Sequence, residues 1–154
     1  MPPKGNAGGN DVAGPLHLVK MAVGAADVDE LRRFRAQRYA ERGVSWVYTR
    51  NHPRRTDAVL DGGSLYWVVK GQIRARQRVT GFKSERDDNG RAYCLILTDP
   101  ELVVTLPRAF RPFQGWRYLR ADDAPPDLIL GPPARGEAAL PAALKRELRA
   151  LCLL

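Results

Sequence analysis

The sequence predicts an α+β fold: a small, mainly antiparallel sheet, curled or closed into a partial β-barrel, with flanking helices. Three observations predict it. Short apolar or alternating segments follow one another, separated by turn residues. A few helical segments are interspersed without regular β–α–β alternation. The chain has 154 residues, one domain's length, and so many strands in so small a sheet favour curling.

Residues 1–14 are rich in Gly, Pro and Asn and read as a disordered tail ahead of a single domain over 15–154. Leu16 to Val23 alternates as a strand, with His17, Val19, Met21 and Val23 on one side. Asp27 is a good N-cap, and Glu30 three residues on completes a capping-box pattern. Gly43 is the matching stop. Arg35, Arg38 and Arg42 share a side with Val28 and Leu31. Their stems can cover a sheet rim while their heads reach solvent or phosphate, and the solvated rim is the plainer reading.

Val44 to Thr49 is a second strand, with Val44, Trp46 and Tyr48 on one face. Pro53 to Leu60 is a short helix with proline in its first turn. Asp61-Gly62-Gly63 ends it. Leu65 to Val69 is a continuous apolar run and reads as a central strand. Lys70-Gly71 is a turn. Gln72 to Phe82 alternates, with Ile73, Ala75, Gln77 and Val79 on one face and Arg74, Arg76, Arg78 and Thr80 on the other. Asp88-Asn89-Gly90 is a hairpin signal, and Arg91 to Thr98 is the return strand. Asp99-Pro100 breaks it. Leu106 to Leu119 reads as a loop feeding a last strand. Pro141 to Leu151 is a final helix, with Leu140, Leu144, Leu148 and Leu151 as its stripe.

The formal net charge is +8, carried by 20 Arg and 5 Lys. Such an excess attracts polyanions. A solvated arginine-rich surface is the competing reading. No apolar run approaches the roughly 20 residues a bilayer span needs. Cys94 and Cys152 are too few and too far apart for a disulfide framework. These features point to a cytoplasmic protein that does not engage membranes.

The sharpest feature is the ladder Arg74, Arg76, Arg78. Period two sets the guanidiniums about 7 Å apart, near phosphate spacing in an extended strand. Lys70 before it and Arg117 beyond extend a basic surface. The alternative is neutralisation by Glu85, Asp87, Asp88 or other acidic loops. Aromatic residues beside basic ones hold unstacked bases. The candidate pocket is Tyr66, Trp67, Gln77, Gln114 and Trp116. Trp116 lies beside Gly115, and Gln114 offers an amide to a base edge. Gln77, alone among apolar neighbours, needs buried partners. Core packing is the plainer role for each tryptophan.

His17, His52, Cys94 and Cys152 have no metal-ligand spacing. No nucleophile elbow or phosphate loop is present. Neither catalytic residues, nor a metal, nor a cofactor can be assigned. His52-Pro53-Arg54-Arg55, with Asp57 nearby, reads as an ordinary basic loop or as a phosphate or acid–base site.

His17 to Gly24, Gly62 to Gly71, Ala75 to Arg78 and Arg111 to Leu119 together resemble a bacterial family of unknown function, chiefly alphaproteobacterial. The likeness spans about residues 15 to 130. Leu65 to Lys70 also resembles the opening strand of EVE domains, and Gly71 to Arg78 is loosely similar to a strand of ASCH domains. Ile73 stands where the ASCH pattern has lysine. The resemblance implies a PUA-like barrel that binds RNA or modified bases, with a pocket near Tyr66, Trp67, Gln114 and Trp116.

Three functions follow as expectations. The first is a nucleic-acid-binding module, RNA favoured, reading an unpaired or modified base. The second is a small enzyme on a nucleotide or another phosphorylated metabolite, with His52 or Asp57 as its acid–base group. The third is a protein-interaction factor using the C-terminal leucine stripe or the Pro-rich loop.

Overall fold

A computed structural model describes residues 15–128. The expected tail at 1–14 and the expected helix over Pro141–Leu151, with its leucine stripe, lie outside them. The elements are β1 (His17–Met21), α1 (Val28–Arg42), β2 (Ser45–Thr49), α2 (Thr56–Leu60), β3 (Ser64–Val69), β4 (Gln72–Arg86), β5 (Ala92–Thr98), β6 (Val103–Ala109) and β7 (Trp116–Leu119). A 3-10 turn at Ala121–Asp123 follows. The fold is α+β.

Seven strands form one mixed, mostly antiparallel sheet in the order β2-β5-β4-β3-β1-β7, with β6 paired to β4. Only β1 and β3 run parallel. The sheet curls without closing. Its two end strands, β2 and β7, are bridged by the loop that leaves β2. Trp116 Nε1 donates to the Asn51 carbonyl at 2.8 Å, and the backbone N–H groups of Arg54 and Arg55 donate to the Tyr118 hydroxyl.

Local chemistry explains most boundaries. Asp27 caps α1 by accepting from the Glu30 N–H, Glu30 accepts in turn from the Ala26 N–H, and Gly43 closes the helix at φ +73°. Lys70 and Gly71 both have positive φ, which gives the β3–β4 turn the twist a two-residue hairpin needs. Asp87 Oδ1 accepts from the Asn89 and Arg91 N–H groups and shapes the next turn.

β3 is buried along its whole length, so both sheet faces are covered. On the first face, Leu65, Trp67 and Val69 join Leu18, Ala75 and Val79 in the larger core, which α1 and α2 cover through Val28, Leu31 and Val59. On the second face, Tyr66 and Val68 pack with Val19, Ile73 and Leu119 beneath Phe110 and Phe113.

Three expectations need correction. Ile73 does not share a face with Ala75, Gln77 and Val79, because the ladder shifts between Ile73 and Ala75 and again between Trp67 and Val68. The bulge adds a residue at Arg74 and reverses the alternation. Second, Val103–Ala109 is a strand where a loop entry was expected. Its Pro107 is tolerated because the pairing is interrupted between Ile73/Arg108 and Ala75/Val104. Third, Val23 lies beyond the first strand and is exposed. In β2 the buried residues are Ser45, Val47 and Thr49, while Tyr48 points outward.

Candidate anion-binding cleft

Gln77 is 0% exposed and organises a buried polar network on the first face. Its Oε1 accepts from Arg35 Nε at 3.0 Å and from Trp67 Nε1 at 3.1 Å. Its Nε2 donates to the carbonyls of Asp99 and Pro100. Arg35 Nη2 donates to Ser45 Oγ and to the Trp46 carbonyl, and Ser45 pairs with Thr98. The members come from several segments, so one glutamine on β4 ties α1, β2, β3 and the β5–β6 turn together.

Arg35 is the unusual member. It is 7% exposed, and it stacks over the Trp67 ring at 5.2 Å. Among the described residues no carboxylate pairs with it, and its Nη1 makes no hydrogen bond to any of them. Burial, together with the nearby Arg38 charge, lowers its pKa to about 10. An unpaired buried cation is costly, so an anion brought to it is favoured.

Arg35 opens onto a cleft of about 600 Å³ between α1 and the sheet, within the usual size range of ligand sites. Its walls include Lys20, Phe34, Arg38, Trp46 and Trp67, with Glu41 as its one acidic residue. Lys20 is half-buried in β1, and desolvation lowers its pKa. It stands in register between Trp67 of β3 and Trp116 of β7. Trp46 carries Arg38 and Arg42 on its ring, at 4.9 and 4.8 Å.

The residues singled out from sequence divide between the two faces. Trp67, Gln77 and Trp116 are on the first. Trp67 lines the cleft, and Gln77 lies behind it holding Arg35. Trp116 is half-buried, packs edge-on against Tyr118 and spends its N–H on Asn51. Tyr66, Arg76 and Arg117 are on the second face. Arg117 stacks on Phe113 and is exposed. Gln114, Lys70 and Arg78 are exposed, and Gln114 sits in the loop before β7. Arg74 lies at the bulge, and its buried Nε finds no partner among the described residues.

Arg76 is paired with an acid that lies elsewhere than the expected neutralisers. It grips Asp127 with two 2.7 Å hydrogen bonds and donates to Ser64 Oγ. The pair holds the returning segment, where the Leu106 N–H donates to the Pro126 carbonyl and the Leu128 N–H to the Val104 carbonyl on either side of the Thr105–Asp127 bridge. Glu85 serves Arg42 and Lys83, and Asp87 serves Arg50.

Beside this clamp, His17 Nδ1 accepts from the Ser64 N–H at 3.0 Å, and the ring packs edge-on to Tyr66. Burial, and then the Arg76 charge, lower its pKa from 6.5 to about 4. Protons therefore bind the unfolded chain first. Stability is full above about pH 6.5 and falls as the pH drops toward about 4. The expected loss between pH 7 and 4.5 is about 2 kcal/mol, after discounting for partial hydration of the ring. His17→Asn keeps an acceptor for Ser64 and removes that slope; urea melts at the two pH values read it.

His52 and the following arginines form a loop braced on β7, with His52 Nδ1 within 3.2 Å of Ser84 Oγ. Cys94 is buried, and burial raises its thiol pKa to about 11. Among the described residues, no three His, Cys, Asp or Glu side chains gather as metal ligands, and no helix is long and apolar enough to cross a membrane.

A family model described as a protein of unknown function, DUF1489, matches residues 18–154. The chain belongs to the DUF1489 family. No curated protein and no solved structure matches it. The key residues of the cleft were partly legible. Arg35 falls four residues after Leu31 and seven after Val28, on the stripe that faces the sheet. Lys20 gave no signal, because the alternation of β1 assigns it only to the side opposite His17 and Val19.

Proposed function

We propose that this DUF1489 protein is a nucleic-acid-binding module that draws one nucleotide of a single strand, RNA in the first instance, into the cleft under α1. One observation carries the reading: Arg35 and Lys20, without carboxylate partners among the described residues, face a cleft walled by Phe34, Trp46 and Trp67. The cations suit a phosphate, and the aromatic walls suit a base that has left its stack. A free mononucleotide satisfies the same groups. A strand is preferred because Arg38 in the cleft wall and Arg42 beyond it continue the basic line along α1. The resemblance of β3 and early β4 to EVE and ASCH strands points the same way.

The test is a titration of labelled single-stranded RNA at two salt concentrations. Lys20→Met is expected to weaken binding about tenfold and to reduce the salt slope by about 0.7, the value of one lost phosphate contact. Unchanged affinity in Lys20→Met overturns the assignment. Binding of mononucleotides alone overturns the preference for a strand.

A further inference from the structure

We infer that Lys20 is an amine nucleophile and that the cleft takes a phosphorylated aldehyde, held as an imine on Lys20. This rests on the reading of the cleft as an anion site and adds a covalent step to it.

The placement of Lys20 carries the argument. Its backbone is fixed on both sides, by β3 at Trp67 and by β7 at Trp116. Its side chain lines the cleft, and no carboxylate among the described residues pairs with it. Desolvation there makes the ammonium easier to deprotonate, and the neutral amine so formed is the one that attacks carbonyls. The other described lysines differ. Lys70 is exposed in a turn, and Lys83 is ion-paired with Glu85 at 3.3 Å. Arg35 lines the same cleft with an unused Nη1, so it can hold a phosphate while the aldehyde reaches the amine.

The neutral amine adds to the aldehyde carbon to give a carbinolamine. The aldehyde oxygen then leaves as water with the two amine hydrogens, and a carbon–nitrogen double bond remains. Two sources carry a phosphate beside an aldehyde: a sugar in a nucleic-acid strand that has lost its base, and a free phosphorylated aldehyde.

The full-length protein is incubated with glyceraldehyde 3-phosphate, with glyceraldehyde, or with an oligonucleotide containing one base-less site, each with cyanoborohydride. Adducts are then mapped by peptide mass spectrometry. With the phosphorylated probes Lys20 is expected to be modified roughly tenfold faster than Lys70 and Lys83, because binding raises the local aldehyde concentration. Neutral glyceraldehyde loses that preference. Lys20→Arg forms no adduct at this position. Modification of the three lysines at equal rates, or none at Lys20, overturns the inference. RNA binding without an adduct overturns the imine alone. An adduct with glyceraldehyde 3-phosphate, without strand binding, upholds the imine and overturns the strand reading. An adduct restricted to the oligonucleotide upholds the imine and identifies the base-less sugar as its source.

Discussion

Replacing Gly63 with alanine is expected to lower folding stability by about 3 kcal/mol. Gly63 sits at the crossing of three segments. Its N–H donates to the Val59 carbonyl at the end of α2, and its carbonyl accepts from Val79 of β4. A Cβ at this position would meet the carbonyl oxygens of Leu16 and Val59, the latter at 2.5 Å. Both obstacles are backbone, so no side chain can swing aside. The link between α2 and β3 must open, and with it the start of β1. Gly90, in the exposed hairpin turn, is the useful comparison. Nothing lies within 4 Å of a Cβ there, although φ is +79°. Gly90→Ala carries only the left-handed backbone strain, about 1 kcal/mol. Urea denaturation followed by ellipticity separates the two. A Gly63→Ala protein within 1 kcal/mol of wild type contradicts the packing argument.

Gln77→Leu is expected to cost about 4 kcal/mol and to abolish RNA binding. Leucine matches the volume but leaves Arg35 Nε and Trp67 Nε1 buried without their acceptor, and the carbonyls of Asp99 and Pro100 without a donor. Each buried orphan costs about 1–3 kcal/mol, with partial relief by water. Gln77→Glu separates stability from binding. Its carboxylate still accepts from Arg35 and Trp67, but it neutralises the guanidinium that the anion needs. The expected result is weakened RNA binding even under conditions where the variant is fully folded. Gln77→Glu binding RNA as tightly as wild type contradicts the role given to Arg35.

The strands and turns were legible where local chemistry decides them. Asp27 and Gly43 bound α1, the apolar run 65–69 is the central strand, and Asp88-Asn89-Gly90 is a hairpin. Legibility failed where distant residues decide. The bulge at Arg74 lies where β4 pairs with both β3 and β6, and no periodicity in β4 reveals it. Arg76 reads as a free cation until Asp127, 51 residues away, comes to meet it. The same holds for the site. Gln77 was recognisable as a buried amide in need of partners, and Trp67 as an aromatic near them. That the partner is Arg35 follows from α1 crossing the first face. Tyr66 and Trp67 are neighbours in sequence, yet they serve opposite faces because a strand alternates.

The most direct test of the central claim is photo-crosslinking of a single-stranded RNA carrying 4-thiouridine, with the attachment sites mapped by mass spectrometry. Adducts are expected on the cleft walls, at Phe34, Trp46 or Trp67. Adducts confined to Gln114, Arg117 and the Lys70 turn, none of which lines the cleft, would contradict that claim.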